Sequence, residues 1–409
     1  MNIPKLRFKD NNGNDYPQWE KKKLGDIGNI ISGGTPSSSN KEYWNGHINW
    51  FTPSEVGKTK FVSESIRKIT EKGLKNSSAK LLPKGTILLS SRATIGEKSI
   101  LLNSATTNQG FQSIITNNEA INEFIYYYID TLKSELIKQS SGSTFLEISN
   151  TILKKLKIYI PNLQEQEKIA NFLTTVDKKI ENLENTITSL ENQKKGLLQQ
   201  IFSQKLRFKD KNGNNYPDWE KKKLGDITQS QGGTALEKYT TTNGLYKFIS
   251  IGNYSTYSTY LDNGIRIDLN NKTKKQLLNK NDLVMILNDK TSSGNIIGRT
   301  LLIDKDNTYI YNQRSQRLIC NTKIIIPSFL YFLLNSDFRK NIIKKVQGAT
   351  QIYINYSTIE VMHLNIPCLE EQTKIADFLS AFDRKLENQK AQLEHWQQIK
   401  KGLLQQMFV

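Results

Sequence analysis

The sequence has few residues that could cross-link the chain or hold a metal. Its 409 residues include only two cysteines, Cys320 and Cys368, and three histidines, His47, His363 and His395, which lie far apart. This scarcity excludes a disulfide framework and a cysteine-based zinc site. The histidines have no neighbouring ligand spacing, so we expect no metal site.

Long apolar runs are also missing. No stretch reaches the roughly 18–20 apolar residues that a membrane helix needs, and the first ten residues, MNIPKLRFKD, lack the apolar segment of a signal peptide. We therefore expect a cytoplasmic protein with no membrane partner.

The sequence motifs of catalysis and cofactor binding are absent as well. There is no phosphate-binding loop of the GxxxxGKS or GxxxxGKT type, no GxGxxG turn after a strand, no NPPY-type tetrapeptide and no HExxH pair. No group of acidic residues with a lysine indicates a nuclease. The simplest interpretation is a binding protein with no active site and no cofactor of its own.

Positive charge is what the sequence has in excess. Lysine and arginine number 57 against 39 aspartate and glutamate, which gives a formal charge of +18. A surplus of this size indicates a polyanionic partner, nucleic acid before membrane. The alternative is a lysine-rich surface that binds nothing and reflects an AT-rich genome.

Two pairs of segments repeat along the chain. Residues 5–27 and 205–227 are identical at 20 of 23 positions, and the 43-residue segments that begin at Ile160 and Ile366 are identical at 22. Residues 28–159 and 228–365 share only short islands. A period of about 200 residues is too long for a solenoid, so the chain is a duplicated domain whose two copies present different surfaces.

The second pair of repeats continues into two long helices, the first predicted from Leu163 to about Ile201 behind Pro161. In each helix apolar residues recur at alternating spacings of three and four, the heptad pattern of a coiled coil. They are Leu173, Val176, Ile180, Leu183, Ile187 and Leu190 in the first helix, and Leu379, Phe382, Leu386, Leu393 and Trp396 in the second. We predict that the helices form an antiparallel coiled coil; the alternative is that each packs only on its own domain.

Antiparallel pairing predicts ion pairs near the helix ends. Lys194 is expected beside the acidic start of the second helix and Lys400 beside the acidic start of the first. The acidic residues at these two starts are Glu370, Glu371 and Asp377, and Glu165 and Glu167.

These elements predict an α+β fold with two pseudo-twofold-related globular domains, each followed by a long helix. The predicted boundaries are 1–160 and 203–366 for the domains, and 161–202 and 367–409 for the helices. Residues 1–162 carry a net charge of +8 and residues 203–368 carry +11, whereas the two helices carry −1 and 0. Two basic domains held apart by neutral helices favour duplex DNA as the partner.

Polar loops between the apolar strands of each domain are the predicted DNA-contacting segments. Arginine suits guanine, asparagine and glutamine suit adenine, and hydroxyls and lysine suit phosphates. The candidates are Thr35, Ser37, Ser90, Ser91, Arg92, Thr94, Ser143 and Thr144 in the first domain, and Thr234, Asn288, Lys290, Ser292, Arg314, Thr350 and Gln351 in the second. For each of them the alternative is an ordinary loop residue or a structural hydrogen bond.

Two groups of residues are predicted to be structural instead. Asn108-Gln109 and Asn312-Gln313 recur at matching positions in both copies, which favours a role in the scaffold. The aromatic residues expected to pack the first domain rather than to stack on bases are Tyr43, Trp44 and Trp50.

The pattern as a whole resembles the specificity subunit of type I restriction-modification systems, over essentially the entire chain. The segments that carry the resemblance are WEKKKLGDI, ISGGTPSSSNKEYWNGHINWFTPSEV, LLPKGTILLSSRATIG, TTNQGFQSI, Gly142–Thr144 and IPNLQEQEKIANFL, repeated as SQGGT, NIIG, NQR, GAT and IPCLEEQTKIADFL. The second domain lacks the proline of GGTP and the tryptophan-rich stretch, which fits a different half-site.

The resemblance implies a mechanism. Each domain would be a target recognition domain that reads one half of a bipartite, asymmetric double-stranded DNA site, and the helices would set the gap between the halves. Two modification subunits with adenine-N6 methyltransferase sites would bring S-adenosylmethionine. Two restriction subunits would add ATP-driven translocation and cleavage, so ATP and Mg²⁺ are also expected in partner subunits and not in this chain.

Three other functions remain open from the sequence. One is a stand-alone bipartite DNA-binding regulator or architectural protein. The second is a nickase or methyltransferase with a diverged active site, and the third is a coiled-coil scaffold that binds no nucleic acid.

Overall fold

The computed structural model describes residues 4–142 and 146–408, which form an α+β structure. The chain divides into two compact units, Met1–Glu184 with Ala391–Val409, and Asn185–Lys390. The predicted division into four consecutive segments differs from this one, because each compact unit holds the start of one long helix and the end of the other.

In residues 4–142 and 146–202, the described part of the first copy of the repeat, there are ten strands and four α-helices. The strands are β1 Glu20–Lys23, β2 Gly28–Ser32, β3 Trp44–Phe51, β4 Phe61–Val62, β5 Arg67–Ile69, β6 Ile87–Leu89, β7 Lys98–Leu101, β8 Thr106–Thr107, β9 Gln112–Thr116 and β10 Lys157–Ile160. The helices are α1 Glu71–Lys75, α2 Asn122–Lys138, α3 Asn150–Lys155 and α4 Leu163–Phe202. The predicted end of the long helix is therefore correct to within one residue.

The second copy, as far as residue 408 where the described part of the chain ends, contains twelve strands and five α-helices. The strands are β11 Glu220–Lys223, β12 Thr228–Gly232, β13 Thr240–Thr241, β14 Tyr246–Ile249, β15 Arg266–Ile267, β16 Leu283–Ile286, β17 Asn288–Asp289, β18 Thr300–Leu302, β19 Tyr309–Tyr311, β20 Ser315–Cys320, β21 Ile352–Tyr353 and β22 His363–Ile366. The helices are α5 Leu224–Ile227, α6 Pro327–Asn335, α7 Phe338–Ile343, α8 Tyr356–Glu360 and α9 Leu369–Met407.

Each copy is built around a main sheet, with five strands in the first copy and four in the second, and a second sheet, with three strands in the first copy and four in the second. In the first copy the orders are β2-β9-β6-β7-β4 and β5-β3-β8, and in the second they are β12-β20-β16-β18 and β13-β15-β14-β19. A separate antiparallel pair, β1-β10 or β11-β22, precedes each long helix. The common topology explains how two copies with divergent middle segments keep one scaffold.

A buried clamp fixes the start of each long helix to its domain. The carboxylate of Glu165 is fully buried, and it accepts two hydrogen bonds from Arg7, at 2.7 and 3.0 Å, and one from the indole of Trp19 at 3.2 Å. The next residue, Gln166, donates to the carbonyls of Glu119 and Pro161. The glutamate-glutamine pair that begins each helix therefore anchors it.

The second copy repeats this clamp. Glu371 accepts from Arg207 at 2.8 and 2.9 Å and from Trp219 at 3.1 Å, while Gln372 donates to the carbonyls of Ile324 and Pro367. Buried charges are stable only when paired and hydrogen-bonded, and here both conditions are met.

Within each unit the two long helices run antiparallel. In the first unit Lys400, near the end of α9, forms an ion pair with Asp177 of α4 at 2.6 Å. In the second unit Lys194 of α4 pairs with Asp383 of α9. The predicted direction and the two lysines are correct, but the predicted acidic partners are wrong. The buried clamp already uses Glu165 and Glu371, so the lysines bind aspartates further along each helix.

The predicted heptad residues lie on the buried side of the helices, but their side chains are buried to different extents. Those below one-tenth exposure are Leu173, Val176, Leu183, Ile187, Leu190, Leu379 and Leu386, and those half-buried are Ile180, Phe382, Leu393 and Trp396. No helix in residues 4–142 or 146–408 combines the length and apolar character needed to cross a membrane.

Candidate nucleic-acid interface

The polar loops of the first domain meet at one edge of its main sheet. Because β2 and β6 run antiparallel to β9 and β7, the ends of β2 and β6 lie beside the starts of β9 and β7. The GGTPS turn after β2, residues 90–97 and the Asn108-Gln109 loop are therefore neighbours. We call this edge the loop edge of the domain.

The second domain has an equivalent loop edge, made by the GGT turn after β12, residues 287–299 and the Asn312-Gln313-Arg314 loop before β20. Matching backbone hydrogen bonds join the loops in both copies. The amide of Ser91 donates to the carbonyl of Gly110 at 2.8 Å, and the amide of Leu287 donates to that of Arg314 at 2.9 Å.

The recurring glycines and Asn-Gln pairs hold each loop edge together. A Cβ on Gly33 would lie 1.9 Å from the carbonyl oxygen of Asn108, and one on Gly233 would lie 2.0 Å from that of Asn312. Only glycine allows so close an approach of two backbones. The structure thus supports the scaffold role predicted for Asn108-Gln109 and Asn312-Gln313.

Two tryptophans of the first domain pack against each other and hydrogen-bond to the turn at its loop edge. Trp44 and Trp50 are buried and pack edge to face, with ring centroids 5.0 Å apart. The indole of Trp50 donates to the carbonyl of Gly34 at 2.9 Å, and that of Trp44 donates to the carbonyl of Ser37 at 3.1 Å. The predicted role of these tryptophans was packing. Their hydrogen bonds show that the rings also hold the GGTPS turn in place.

The candidates of the first domain divide by accessibility. Thr35, Ser37 and Thr94 are exposed, and the hydroxyl of Thr35 donates to the side chain of Gln109. Ser90 and Ser91 are completely buried, because the chain directly after β6 stays hydrogen-bonded to Glu97 and Gly110, so the structure does not place them where DNA could reach them. Ser143 and Thr144 lie outside the described residues.

Arg92 is present at the loop edge but is already paired. Its guanidinium lies 2.8 Å from Glu147, and the backbones of the two residues also form a β-bridge. Reading a base with Arg92 would require this ion pair to open, which makes Arg92 a weaker candidate than the sequence indicated.

In the second domain, three candidates converge on one cleft. Lys290, Arg314 and Gln351 line a cleft of about 350 Å³ at the loop edge. The other lining residues are Glu237, Thr240, Phe248, Ser250, Ile251, Ile265 and Asn312. A guanidinium, an ammonium and an amide thus share a concave surface of the size and polarity that receives the edge of a base or a phosphate.

Glu237 gives this cleft a fixed negative group. Its carboxylate accepts from the Asn312 amide at 2.7 Å and from the Gln313 amide at 3.2 Å. The bond from Asn312, then that from Gln313 and the charge of Arg314, lower the pKa of Glu237 despite its partial burial. The carboxylate therefore stays ionised, and it can accept from the exocyclic amine of cytosine.

The remaining candidates of the second domain lie around the cleft. Thr234, Ser292 and Thr350 are exposed, and Asn288 is half-buried in β17, where its backbone pairs with Tyr353. The loop that carries Lys290 and Ser292 is several residues longer than its counterpart in the first domain, so the two loop edges present different surfaces.

Glu237, Thr240 and Ser250 are residues of this interface that the sequence interpretation missed. A signal existed for Glu237, which follows the GGT turn by only three residues, opposite the recurring Asn312-Gln313. The described parts of the chain contain no group of three or more histidine, cysteine or acidic side chains placed to hold a metal ion.

Comparisons with known proteins agree with this architecture. Residues 16–192 and 216–395 each match the family model of the type I restriction modification DNA specificity domain. The specificity subunit of the type I restriction enzyme MjaIX of Methanocaldococcus jannaschii is 30% identical over 416 residues, which cover 97% of this chain and 94% of the relative. The EcoR124I/EcoR124II specificity subunit of Escherichia coli is 34% identical over 176 residues, covering 41% and 42% of the two chains.

A solved structure has the same fold. The crystal structure of the S subunit of a type I restriction-modification system from M. genitalium covers 100% of this chain and 99% of its own, with a TM-score of 0.62 and 18% sequence identity. The family model matches two regions of the chain, and the MjaIX subunit is similar over 97% of it. The chain therefore belongs to the family of type I restriction modification DNA specificity domains and carries the domain twice.

Proposed function

We propose that this chain is the non-catalytic DNA-recognition subunit of a type I restriction-modification enzyme, and that each of its domains reads one half of a bipartite, asymmetric DNA site. The observation that carries the proposal is the loop edge. It occupies the same place on the same sheet in both copies, yet it carries different side chains in each. One scaffold with two surfaces is what an asymmetric site with two half-sites requires.

The charge and the helices fit the same proposal. Net charges of +8 and +11 lie on residues 1–162 and 203–368, and the helices that follow are neutral. Phosphate contacts supply affinity, and base contacts at the loop edges supply specificity. The helices α4 and α9 would act as the spacer that sets the gap between the half-sites.

Repeated exposed apolar residues indicate where partner subunits dock. Each copy exposes the same three kinds of side chain at the clamp, namely Leu6, Leu163 and Phe172 in the first copy and Leu206, Leu369 and Phe378 in the second. Residues 5–27 and 205–227 have stayed nearly identical while the middle of each copy diverged. Two equal surfaces fit two copies of one partner.

We assign these surfaces to two modification subunits, which would bring S-adenosylmethionine to adenine-N6 methyltransferase sites. Two restriction subunits complete the proposed enzyme, with ATP and Mg²⁺ bound in those partners. One solved structure, at 14% identity and a TM-score of 0.60, was determined for complex assembly and conformational transition of the type I restriction-modification system.

Selection of bound duplexes from a random DNA pool tests the proposal. The chain would be purified with its modification subunits and the selection repeated at several salt concentrations. We expect a bipartite motif with a constant gap and an affinity that falls steeply with salt. A replacement of Arg314, Lys290 and Gln351 by alanine should degrade one half of the motif, whereas Thr35→Val should affect only the other half. A selection without any motif would contradict the proposal.

A further inference from the structure

The guanidinium of Arg67 in the first domain is stacked, and within the described residues no side chain or backbone group hydrogen-bonds to its edge. The guanidinium carbon lies 3.7 Å from the centroid of the Trp44 ring and 5.1 Å from that of Trp50. Arg67 is exposed, and no acidic side chain in the described parts of the chain lies within ion-pairing distance. Stacking orients the planar fork but leaves its N–H groups available to a ligand.

The loop that precedes Arg67 and carries Ile66 lies at the surface but is held by several hydrogen bonds. The buried Asn49 donates to the carbonyl of Ser63 at 3.1 Å and accepts from the amide of Ser65 at 3.2 Å. The hydroxyl of Ser65 accepts from the amide of Trp50 at 2.8 Å, and Glu55 accepts from the amide of Ile66 at 2.7 Å.

The hydrogen bonds of this loop hold the aliphatic side chain of Ile66 in contact with solvent. Ile66 is 87% exposed, the highest value among the exposed large hydrophobic residues. A loop that is already ordered loses little conformational entropy when it binds a ligand. An exposed apolar side chain held in this way is therefore suited to an intermolecular contact.

Arg67 also shares its support with the loop edge. Trp50, which pairs with Arg67 across the β3-β5 ladder, holds the carbonyl of Gly34, and Trp44, on which Arg67 stacks, holds the carbonyl of Ser37. The same two rings therefore position Arg67 and the turn that carries Thr35.

We propose that Arg67 reads a guanine in the half-site of the first domain, through two parallel hydrogen bonds to O6 and N7 in the major groove, and that Ile66 contacts the 5-methyl group of a neighbouring thymine. The inference rests on the proposed DNA-recognition function. It follows from a free, oriented guanidinium beside a fixed apolar side chain, the pair of groups that recognises these two bases.

Other arginines of the two domains are less suited to this role. Arg92 is paired with Glu147. In the second domain Arg266 makes two hydrogen bonds to Asp262, at 2.7 and 3.0 Å, which lower the pKa of that carboxyl. These two arginines are therefore excluded, and the inference concerns Arg67 of the first domain.

The test uses the full chain in complex with its modification subunits and compares Arg67→Ala, Arg67→Lys and Lys68→Ala. Duplexes would be selected from a random pool, and binding would then be measured on the selected site and on variants of each base pair. We expect Arg67→Ala and Arg67→Lys to lose about tenfold to a hundredfold discrimination at one guanine of one half-site. The neighbouring control Lys68→Ala should weaken all duplexes equally.

Arg67→Lys keeps the charge and most of the volume, so the test holds even if the alanine variant folds poorly. Equal weakening of all sequences by the Arg67 variants would show a phosphate contact and overturn the inference. A wild-type half-site without guanine would also overturn it. These outcomes leave the proposed function intact, since a bipartite motif would still be selected, whereas the absence of any wild-type motif would refute both.

A base-analogue cycle tests Ile66. Replacing the neighbouring thymine by uracil removes only the methyl group and should weaken binding by the wild-type complex severalfold, but leave binding by Ile66→Ala unchanged. The same loss in wild type and variant would contradict the contact.

Discussion

Lys400 and Asp177 form an ion pair in which Nζ lies 2.6 Å from Oδ1, and the pair joins the end of α9 to the early turns of α4. Asp177 also accepts a hydrogen bond from the hydroxyl of Tyr127 at 2.6 Å, so the carboxylate connects both helices to α2 of the recognition domain. The counterpart in the second unit, Lys194 with Asp383, has Phe332 beside Lys194.

This difference predicts that the two aspartates contribute differently to stability. In double-mutant cycles with alanine, we expect a coupling energy of about 0.5–1 kcal/mol for each ion pair, which is the range of partly exposed pairs. Replacing Asp177 by alanine should lower the free energy of unfolding by about 1 kcal/mol more than replacing Asp383 does, because Tyr127 also loses its acceptor. Urea unfolding measures these losses, and equal losses for Asp177→Ala and Asp383→Ala would contradict the role of Tyr127.

The buried clamp predicts a large effect from one neutral substitution. Glu165→Gln should lower the free energy of unfolding by about 2–4 kcal/mol, since Arg7 loses its buried counter-charge. The matched control is Glu167→Gln, two residues on and exposed, which should change stability by less than about 0.5 kcal/mol. Unfolding followed by tryptophan fluorescence reports the loss directly, because Trp19 contacts Glu165; a small effect would mean that the clamp is dispensable.

Replacement of two adjacent glycines by alanine, one at a time, is expected to change stability by very different amounts. Gly233→Ala places a methyl 2.0 Å from the Asn312 carbonyl and should destabilise the second domain by about 2–3 kcal/mol. In Gly232→Ala the nearest atom of the described residues to the new methyl group is the side-chain oxygen of Gln316 at 3.5 Å, so stability should change by less than about 0.5 kcal/mol. Thermal unfolding of the two variants measures this difference in stability. Equal stability of the two variants would show that the GGT turn adjusts to the added methyl group.

The length of the helices predicts the gap between half-sites. Inserting seven residues within both 180–187 and 386–393 keeps the heptad pattern and lengthens each helix by about 10 Å, or about three base pairs of DNA. Both half-sites should persist with a longer gap in duplex selection. A four-residue insertion rotates the apolar stripe and should abolish binding instead; a change in the recognised bases would argue against a spacer role.

The sequence predicted the features that depend on local pattern or on repetition. The repeat at residues 5–27 and 205–227 gave the duplication, and heptad spacing gave α4 to within one residue of its end. The antiparallel direction followed from pseudo-symmetry. These features depend on periodicity along one chain segment, which a single sequence displays.

The features that the sequence could not predict depend on tertiary contacts. Ser90 and Ser91 look like loop residues but are buried, and their backbone amides donate to the carbonyls of Glu97 and Gly110. The partner of Lys400 was mispredicted because Arg7, 158 residues before Glu165, already holds that carboxylate. Arg67 was overlooked because its stacking on Trp44 requires the bulged pairing of β3 with β5.

Each domain is expected to read its half-site independently of the other. The most direct measurement exchanges residues 28–159 for the corresponding segment of another specificity subunit and maps methylated adenines by single-molecule sequencing in cells that also contain the modification subunits. We predict that one half-site changes, while the other half-site and the gap stay as in the wild type. A change in both half-sites, or in neither, would contradict the account.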